Sequence, residues 1–343
     1  MNWSTFEKEL KKECIKQRKS SYYTASLLNN ANILHSKGLP IIFSTKHLSL
    51  LIGIDHNYLC SMAYSTKLFY RHFSIKKKNG KVRPIDEPLP DLKYVQTWIL
   101  QNILEKCNVS RFAKAYVQNK SLLDNAKFHR AQNIVVTMDI KDFFPSITLK
   151  EVSLIFREMG YFPKLSMFLA HLCCLNYKLP QGAPTSPYLS NLRMISLDET
   201  ISNYVLSENI RYTRYADDLT FSGSFDPKEL IPKISGFVWN EGFAINPDKT
   251  RVARKNCRQE VTGIVVNHHL QLCKSKRKYI RQQVYYIKKY GLDSHLKHIQ
   301  DEHRHYINHL IGMINFACFI NPKDKEMQSY YDELSALIKK QKN

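Results

Sequence analysis

The apolar positions of the chain follow two periods, and the shorter period marks strands. Residues 133–140 (NIVVTMDI) form an almost continuous apolar run that ends near an acid, which is typical of a strand buried inside a sheet. Residues 211–223 (RYTRYADDLTFSG) place strand-like arms on both sides of Asp217 and Asp218, which predicts a hairpin. Asn79–Gly80 lies between the arms of residues 73–85 and predicts another hairpin, because both residues tolerate positive φ.

The longer period, close to 3.6 residues, predicts helices along much of the remaining chain. Residues 1–70 are expected to be mainly helical, with breaks near residues 38–40 and Gly53. Further helices are predicted over 91–106, 121–130, 149–159, 164–175, from the Gly/Pro-rich loop 180–192 to about 206, and over 227–241. Two more strands are predicted near 251–255 and 260–267, followed by a basic, tyrosine-rich helical tail. Antiparallel strands with flanking helices indicate an α+β fold.

Charge narrows the class of partner. The 343 residues carry a formal net charge of +21, which an anionic partner would offset, and nucleic acid is the usual one. A membrane surface is the competing interpretation, but no apolar run approaches the ~20 residues of a spanning helix. The first twenty residues contain no apolar segment of the signal-peptide type, so we expect a cytoplasmic protein with no membrane partner.

The eight cysteines are scattered and form no C-x-x-C pair, which indicates reduced, mostly buried thiols. Cys257, His268, His269 and Cys273 could be written as a zinc site, but their spacing matches no common zinc finger. We therefore do not expect zinc there.

Three acids stand where strands are predicted to end. Asp139 closes the apolar strand, and Asp217 and Asp218 occupy a hairpin tip. Carboxylates from neighbouring strand ends suit Mg²⁺, which leaves coordination positions for water and phosphate. Two such ions ~3.5–4 Å apart can activate a hydroxyl nucleophile and stabilise a leaving oxygen in phosphoryl transfer. The alternative for Asp217–Asp218 is a merely polar turn.

Five motifs resemble, in order and spacing, those of reverse transcriptases. They are SIKKKNGKVRPI (74–85), DIKDFF (139–144), PQGAPTSP (180–187), YADD (215–218) and GFAINPDKT (242–250). The resemblance implies a right-hand polymerase fold with an antiparallel palm sheet. Its parts would be an N-terminal helical region (1–70), fingers (71–138), a palm (139–268, with a fingers-like insertion at about 150–180) and a helical, RNA-binding thumb (269–343).

The same resemblance implies roles for single residues. Asp139 and Asp217 are expected to bind two Mg²⁺ ions, for which Mn²⁺ can substitute, with Asp218 as the neighbouring acid and the Ile140 carbonyl as a further ligand. Lys249 resembles the lysine that protonates departing pyrophosphate.

Nucleotide-binding roles follow from the other motifs. Phe144 resembles the steric gate against the sugar 2′-hydroxyl, whereas a core role is the alternative for it and fits its neighbour Phe143. The residues expected to contact the incoming nucleotide are Lys77, Lys81, Arg83, Phe143, Phe144, Gln181 and Gly182.

Two shorter stretches resemble the signature of retron reverse transcriptases: N-A-x-x-H at residues 125–129 and V-T-G at residues 261–263. Asn125 and His129 could hydrogen-bond RNA, and the alternative is a helix cap with a satisfied interior histidine. The residues expected to bind RNA are Asn125, His129, Val261, Thr262, Gly263, Lys276, Arg277, Lys278 and Arg281.

Resemblance to that family implies a specific reaction. The enzyme would use dNTPs to copy a cognate structured noncoding RNA, starting from the 2′-hydroxyl of an internal guanosine. The product would be branched multicopy single-stranded DNA (msDNA). A host RNase H would trim the template, and an adjacent effector protein would join the complex in bacterial antiphage defence. The alternatives are another compact bacterial reverse transcriptase, of the abortive-infection or group II intron-like kind, and a polymerase-fold RNA-binding scaffold.

Overall fold

The computed structural model describes residues 2–76, 80, 82–299 and 306–342, with side chains to residue 337. The chain divides into two compact units, each assembled from three separate segments. The first unit consists of Met1–Gln118, Ile140–Ile201 and Ser235–Ala244. The second consists of Asn119–Asp139, Ser202–Ile234 and Ile245–Asn343.

The described helices are α1 (Trp3–Lys16), α2 (Ser21–Ser36), α3 (Thr45–Ile52), α4 (His56–Tyr64), α5 (Pro90–Asn102), α6 (Leu122–Phe128), α7 (Phe143–Ser146), α8 (Leu149–Met159), α9 (Pro163–Cys173), α10 (Ser186–Arg193), α11 (Ile195–Ser207), α12 (Pro227–Asn240), α13 (Lys274–Tyr290), α14 (Leu292–Ile299), α15 (Tyr306–Ile320) and α16 (Lys325–Lys342). The described strands are β1 (Tyr70–Lys76), β2 (Val82–Pro88), β3 (Ile134–Ile140), β4 (Arg211–Tyr215), β5 (Asp218–Gly223), β6 (Ile245–Arg254), β7 (Glu260–Val261), β8 (Ile264–Val265) and β9 (Gln271–Leu272). This mixture of helices and antiparallel sheets confirms the α+β prediction.

The first unit is mainly helical, as predicted for its N-terminal part. Helix α3 ends at Gly53, which adopts the left-handed conformation (φ 77°) that favours glycine at a helix C-terminus. Strands β1 and β2 form the predicted antiparallel hairpin, with Tyr70 opposite Pro88 and Lys76 opposite Val82. Helices α4, α5, α8 and α9 contribute fully buried side chains to the core of this unit, among them Leu59, Met62, Leu92, Ile99, Phe156 and Leu169.

A four-stranded sheet of order β4-β5-β3-β6 organises the second unit. Strand β3 lies inside the sheet, which confirms the prediction from its apolar run. It pairs antiparallel with β5, from Ile134 opposite Gly223 to Asp139 opposite Asp218. Strands β4 and β5 form the predicted hairpin. The prediction near residues 251–255 was too short, because β6 already begins at Ile245.

The single strand predicted over residues 260–267 was wrong. The chain turns back at Thr262–Gly263, so β7 and β8 pair with each other as the first two strands of a small antiparallel sheet, β7-β8-β9. Both turn residues have positive φ, 48° at Thr262 and 84° at Gly263. A β-branched residue rarely adopts that conformation, so the sequence gives little warning of a turn there.

Helices α13 to α16 share an apolar core with the small sheet in the second unit. The buried members include Val261, Ile264 and Leu272 from the sheet and Ile280, Val284, Ile287, Leu310, Ile314, Met327 and Leu334 from the helices. Leu123 and Ala126 of α6 belong to the same cluster. Within the described ranges, no helix is both long enough and apolar enough to cross a membrane.

Candidate active site

Strand pairing in the second unit brings the three predicted acids to one end of the sheet. Asp139, near the end of β3, lies directly opposite Asp218, the first residue of β5. Tyr215 and Asp218 close the β4–β5 hairpin, which leaves Ala216 and Asp217 as a two-residue loop. Ala216 has a φ of 57°, the positive value that the first position of a type II′ hairpin turn requires.

Negative charges lie close together at this end of the sheet. Burial and the neighbouring carboxylates of Asp217 and Asp139 raise the pKa of Asp218 to about 7, against the opposing effect of Lys249 and Arg251. Asp139 is almost fully buried and makes an ion pair with Lys249, whose Nζ lies 2.7 and 2.8 Å from its two carboxylate oxygens. The acids therefore form an anionic centre that cations stabilise.

The donor set fits divalent cations of the Mg²⁺ type. Carboxylate oxygens on adjacent strand ends are the ligands that Mg²⁺ prefers, and the raised pKa of Asp218 shows a charge that a cation would relieve. In the described part of the chain, no three His, Cys, Asp or Glu side chains converge tightly enough to enclose a metal by themselves. An ion here would therefore complete its shell with water, backbone carbonyl or phosphate oxygens. Ile140, whose carbonyl was predicted as a ligand, is the last residue of β3.

A cavity of about 620 Å³ in the second unit connects the acids to the small sheet. Its lining includes Asp139, Asp218, Lys249, Arg251 and the Thr262–Gly263 turn. The hydroxyl of Thr262 is buried and has no hydrogen-bond partner among the described residues. Two of the predicted RNA-binding residues thus share a cavity with two of the acids. The third residue of that stretch, Val261, is fully buried in the core, so it offers RNA no side-chain surface and that prediction was wrong.

Two further cations line this cavity, and neither was predicted from the sequence. Arg251 lies two residues after Lys249 on β6, and residues two apart in a strand share a face, so the period-two rule could have identified it. Arg258 also lines the cavity and pairs with Glu260 at 3.3 Å. It lies in the connection between β6 and β7, where the sequence carries no comparable signal.

In the first unit, the two aromatic residues of the DIKDFF motif differ in exposure. Phe143 is 3% exposed and packs against Phe243, with ring centroids 6.1 Å apart. Its prediction as a nucleotide contact is therefore wrong, because its ring belongs to the core. Phe144 is half-buried, with its ring centroid 6.4 Å from that of Tyr116, and keeps a surface that a ligand can reach.

The PQGAPTSP loop is held against strand β2 of the same unit. The Asp86 amide donates to the Gln181 carbonyl at 2.8 Å. A Cβ added to Gly182, whose φ is 135°, would lie 2.6 Å from the Asp86 carbonyl oxygen. The close contact with β2 thus explains why this position requires glycine, whether or not a nucleotide also approaches it. Arg83 is exposed on β2, while Lys77 and Lys81 lie outside the described residues.

Asn125 and His129 do not lie on the surface. Both side chains are fully buried, and His129 contacts Ser222 and Thr213 at 2.7 Å each. The structure disagrees with the prediction that they hydrogen-bond RNA, because neither has a surface to offer. It agrees with the alternative of a satisfied interior histidine. The sequence places both on one helix, but it cannot show that strands cover that helix.

The four cations predicted for the thumb divide into two pairs. Lys276 and Lys278 are exposed and have no acidic partner among the described residues. Arg277 pairs with Asp324 and Glu326, and Arg281 donates to Glu326 at 2.7 Å. The arginines therefore fasten α13 to the start of α16. Arg277, Lys278 and Arg281 also line a cleft of about 930 Å³ together with Tyr285 and Tyr286.

The four residues considered for zinc offer no shared set of ligands. Cys257 is exposed, whereas Cys273 is buried beside the hydroxyl of Ser275 at 3.2 Å.

Comparison with known proteins gives a consistent result. A family model described as "Reverse transcriptase (RNA-dependent DNA polymerase)" matches residues 75–286. The retron Ec86 reverse transcriptase of Escherichia coli is 34% identical over 272 residues, which cover 78% of this chain and 85% of that protein. The retron Mx162 reverse transcriptase of Myxococcus xanthus is 36% identical over 266 residues, or 68% of this chain and 55% of that protein.

A solved structure of a foamy viral protease-reverse transcriptase with double-stranded DNA also matches. It is 15% identical, with a TM-score of 0.43 over 78% of this chain and 43% of that chain.

Proposed function

Because the chain belongs to the retron reverse transcriptases, and is therefore an RNA-directed DNA polymerase, we propose that it copies a cognate structured noncoding RNA into DNA from an internal primer. The primer is the 2′-hydroxyl of a guanosine within that RNA, so the product is branched msDNA. The observation that carries this proposal is the pairing of Asp139 with Asp218 beside the Asp217 loop.

In this proposal the acids hold two Mg²⁺ ions, for which Mn²⁺ substitutes. Asp139 and Asp217 are the principal ligands, Asp218 is the neighbouring acid, and the Ile140 carbonyl adds an oxygen. Ions bound by these acids would supply Lewis-acid stabilisation of the attacking and the leaving oxygen. Lys249 already lies within 2.8 Å of Asp139, which supports a role beside the departing pyrophosphate as its proton donor.

The first unit supplies the nucleotide contacts of the proposal. Phe144 blocks a sugar 2′-hydroxyl with its accessible ring, and Gln181 and Gly182 present the loop beneath the incoming nucleotide. Arg83 binds the triphosphate, because a guanidinium fork matches paired phosphate oxygens. Lys77 and Lys81 are proposed to assist it.

The second unit supplies the RNA contacts. Thr262 and Gly263 line the same cavity as the acids, which supports a role in holding the priming strand. Exposed Lys276 and Lys278 contact phosphates, and Arg277 and Arg281 contribute from the cleft that they line. A net charge of +21 supports a polyanionic partner of this kind.

Family membership also supports the wider setting of the proposal. The protein acts in the bacterial cytoplasm, where a host RNase H trims the copied RNA. The RNA–DNA product remains bound to the enzyme together with an adjacent effector protein, and the complex serves antiphage defence.

The test is the nucleic acid that co-purifies with the chain from its native host. We expect DNA joined to RNA through a 2′ linkage, detected as a product that a debranching enzyme separates. The variant Asp217→Asn serves as the control and should co-purify with RNA but without DNA. Linear DNA from the wild-type chain would instead indicate another compact reverse transcriptase. RNA alone from both proteins would indicate a scaffold.

A further inference from the structure

Two fully buried side chains of the second unit connect helix α6 to the acid-bearing hairpin β4–β5. His129, which caps the C-terminus of α6, contacts both strands of the hairpin. Its Nε2 lies 2.7 Å from Thr213 Oγ1 on β4, and its Nδ1 lies 2.7 Å from Ser222 Oγ on β5. A single imidazole therefore bridges the two strands.

The hydrogen bonds have a defined direction. The Thr213 hydroxyl donates to Asn125 Oδ1 at 2.5 Å, because that carbonyl oxygen can only accept. A hydroxyl has one proton, so Thr213 Oγ1 accepts from the Nε2–H of His129. Asn125 fixes the orientation of Thr213, and Thr213 fixes the orientation of the imidazole. The Nδ2 of Asn125 is buried without a hydrogen-bond partner among the described residues, which costs free energy.

Strand β4 needs this support because of its place in the sheet. In the described four-stranded sheet it lies at the edge and pairs only with β5. Helix α6 packs along β4, and Arg211 Nη1 of β4 donates to the Phe128 carbonyl of α6 at 2.8 Å. The helix thus supplies the lateral restraint that a second neighbouring strand gives to an interior strand.

The position of Asp217 depends on β4 more strongly than the positions of Asp139 and Asp218 do. Asp139 and Asp218 lie in strands that face each other in register. Asp217 lies in the two-residue loop that follows Tyr215, the last residue of β4. A shift of β4 along β5 would therefore move Asp217 relative to the other acids.

We propose that Asn125 and His129 are positioning residues that lock β4 against β5 and so fix the place of Asp217 beside Asp139 and Asp218. They act through the hairpin and not through RNA. This inference rests on the proposed role of the acids in metal binding.

Two substitutions of His129 separate the two halves of the bridge. His129→Gln keeps a donor at the position of Nε2 and can still bond Thr213, whereas His129→Asn reaches only toward Ser222. On a generic primed RNA template with saturating dNTPs, we expect His129→Asn to lower the rate per folded molecule by about 10–100-fold, because small misplacements of catalytic groups are costly. His129→Gln should retain most of the rate, and neither should change RNA affinity.

Leu123→Ala is the matched control. Leu123 lies on α6 and is buried in the apolar core that α13 to α16 share with the small sheet. This variant should lower the melting temperature while the rate of the folded fraction stays unchanged. Amide hydrogen exchange provides a readout that needs no catalysis: His129→Asn should accelerate exchange in residues 211–217 more than Leu123→Ala does.

Three results would overturn the inference. His129→Asn and Leu123→Ala could lower only the melting temperature, with equal exchange in residues 211–217, which would show a purely structural role. His129→Asn could weaken RNA binding at an unchanged rate, which would restore the RNA contact. His129→Gln could be as slow as His129→Asn, which would show that the bond to Thr213 does not by itself hold β4 in place. By contrast, a wild-type chain that extends no primer contradicts the proposed function, and hydrogen exchange then still decides on the bridge.

Discussion

At the scale of single residues, the site concentrates negative charge in a strongly basic protein. Asp218 shows the consequence most clearly, because burial and two neighbouring carboxylates raise its pKa to about 7. The folded protein holds a proton on this group between about pH 4 and 7, where the unfolded chain has released it. Stability therefore falls as the pH rises through that window, and the full cost applies above pH 7.

Asp218→Asn should remove this cost. We expect the variant to be more stable than the wild type at pH 8, by about 1–3 kcal/mol, since part of the side chain remains solvated. The difference should shrink as the pH falls from 7 and vanish well below pH 4, where the aspartate is neutral in both states. Thermal unfolding in the presence of EDTA measures both trends. A variant that is less stable at pH 8 would contradict the charge repulsion described for this site.

Phe144 and Phe143 offer a matched pair for testing sugar selection. Phe144→Ala opens space beside Tyr116 and should relax discrimination against ribonucleotides by about 10–100-fold, because the ring no longer blocks a 2′-hydroxyl. Phe143→Leu changes a core side chain instead and should lower the melting temperature without altering selectivity. Competition between dCTP and CTP in primer extension measures selectivity. Unchanged selectivity in Phe144→Ala would remove Phe144 from the gate.

At the scale of elements, regular apolar patterns were reliable guides. The hairpin around Asp217 and the interior strand β3 were predicted because alternation and apolar runs reflect which faces a sheet buries. The apolar pattern did not indicate the β7–β8 turn, because Thr262 adopts a conformation that its residue type disfavours. The prediction that His129 binds RNA was wrong because helix periodicity does not show whether other elements pack over a polar residue. Here strands β4 and β5 cover the imidazole.

The contact between the PQGAPTSP loop and β2 leads to a prediction about Gly182. Gly182→Ala should destabilise the first unit by about 1–3 kcal/mol, because an alanine at this φ is strained and its Cβ would clash with the Asp86 carbonyl. Gly236→Ala is the control, since Gly236 lies within α12 with open space around it. That variant should gain about 0.5–1 kcal/mol from helix propensity. Chemical denaturation measures both, and equal effects of the two substitutions would contradict the strain and clash expected at Gly182.

At the scale of the whole molecule, charge is the property that the sequence conveys best. A net charge of +21 requires no knowledge of the fold, and it already predicts a polyanionic partner. The structure adds how the cations of α13 differ: Lys276 and Lys278 are exposed without an acidic partner among the described residues, whereas Arg277 and Arg281 also bind Asp324 and Glu326 at the start of α16. Sequence spacing could not make that distinction, because the acids follow the arginines by more than forty residues in the chain.

RNA affinity should therefore fall steeply with salt, because each phosphate contact releases counterions. Lys276→Gln should reduce the slope of log affinity against log salt concentration by about 1, the contribution of one lost phosphate contact. Lys164→Gln removes an exposed lysine from α9 and should leave the slope unchanged. Fluorescence anisotropy across a salt series measures the slopes. A flat salt dependence in the wild type would contradict phosphate binding by α13.

The place of β3 in its sheet also has a consequence for how the chain folds as it is synthesised. This strand ends at Ile140, whereas its neighbours β5 and β6 begin only at Asp218 and Ile245. At ~5–20 residues per second, the most apolar strand of the sheet leaves the ribosome roughly 4–16 s before its first partner exists. A nascent chain paused in that interval exposes an unpaired apolar edge, so the yield of this protein should depend on chaperones and on translation speed between these two points.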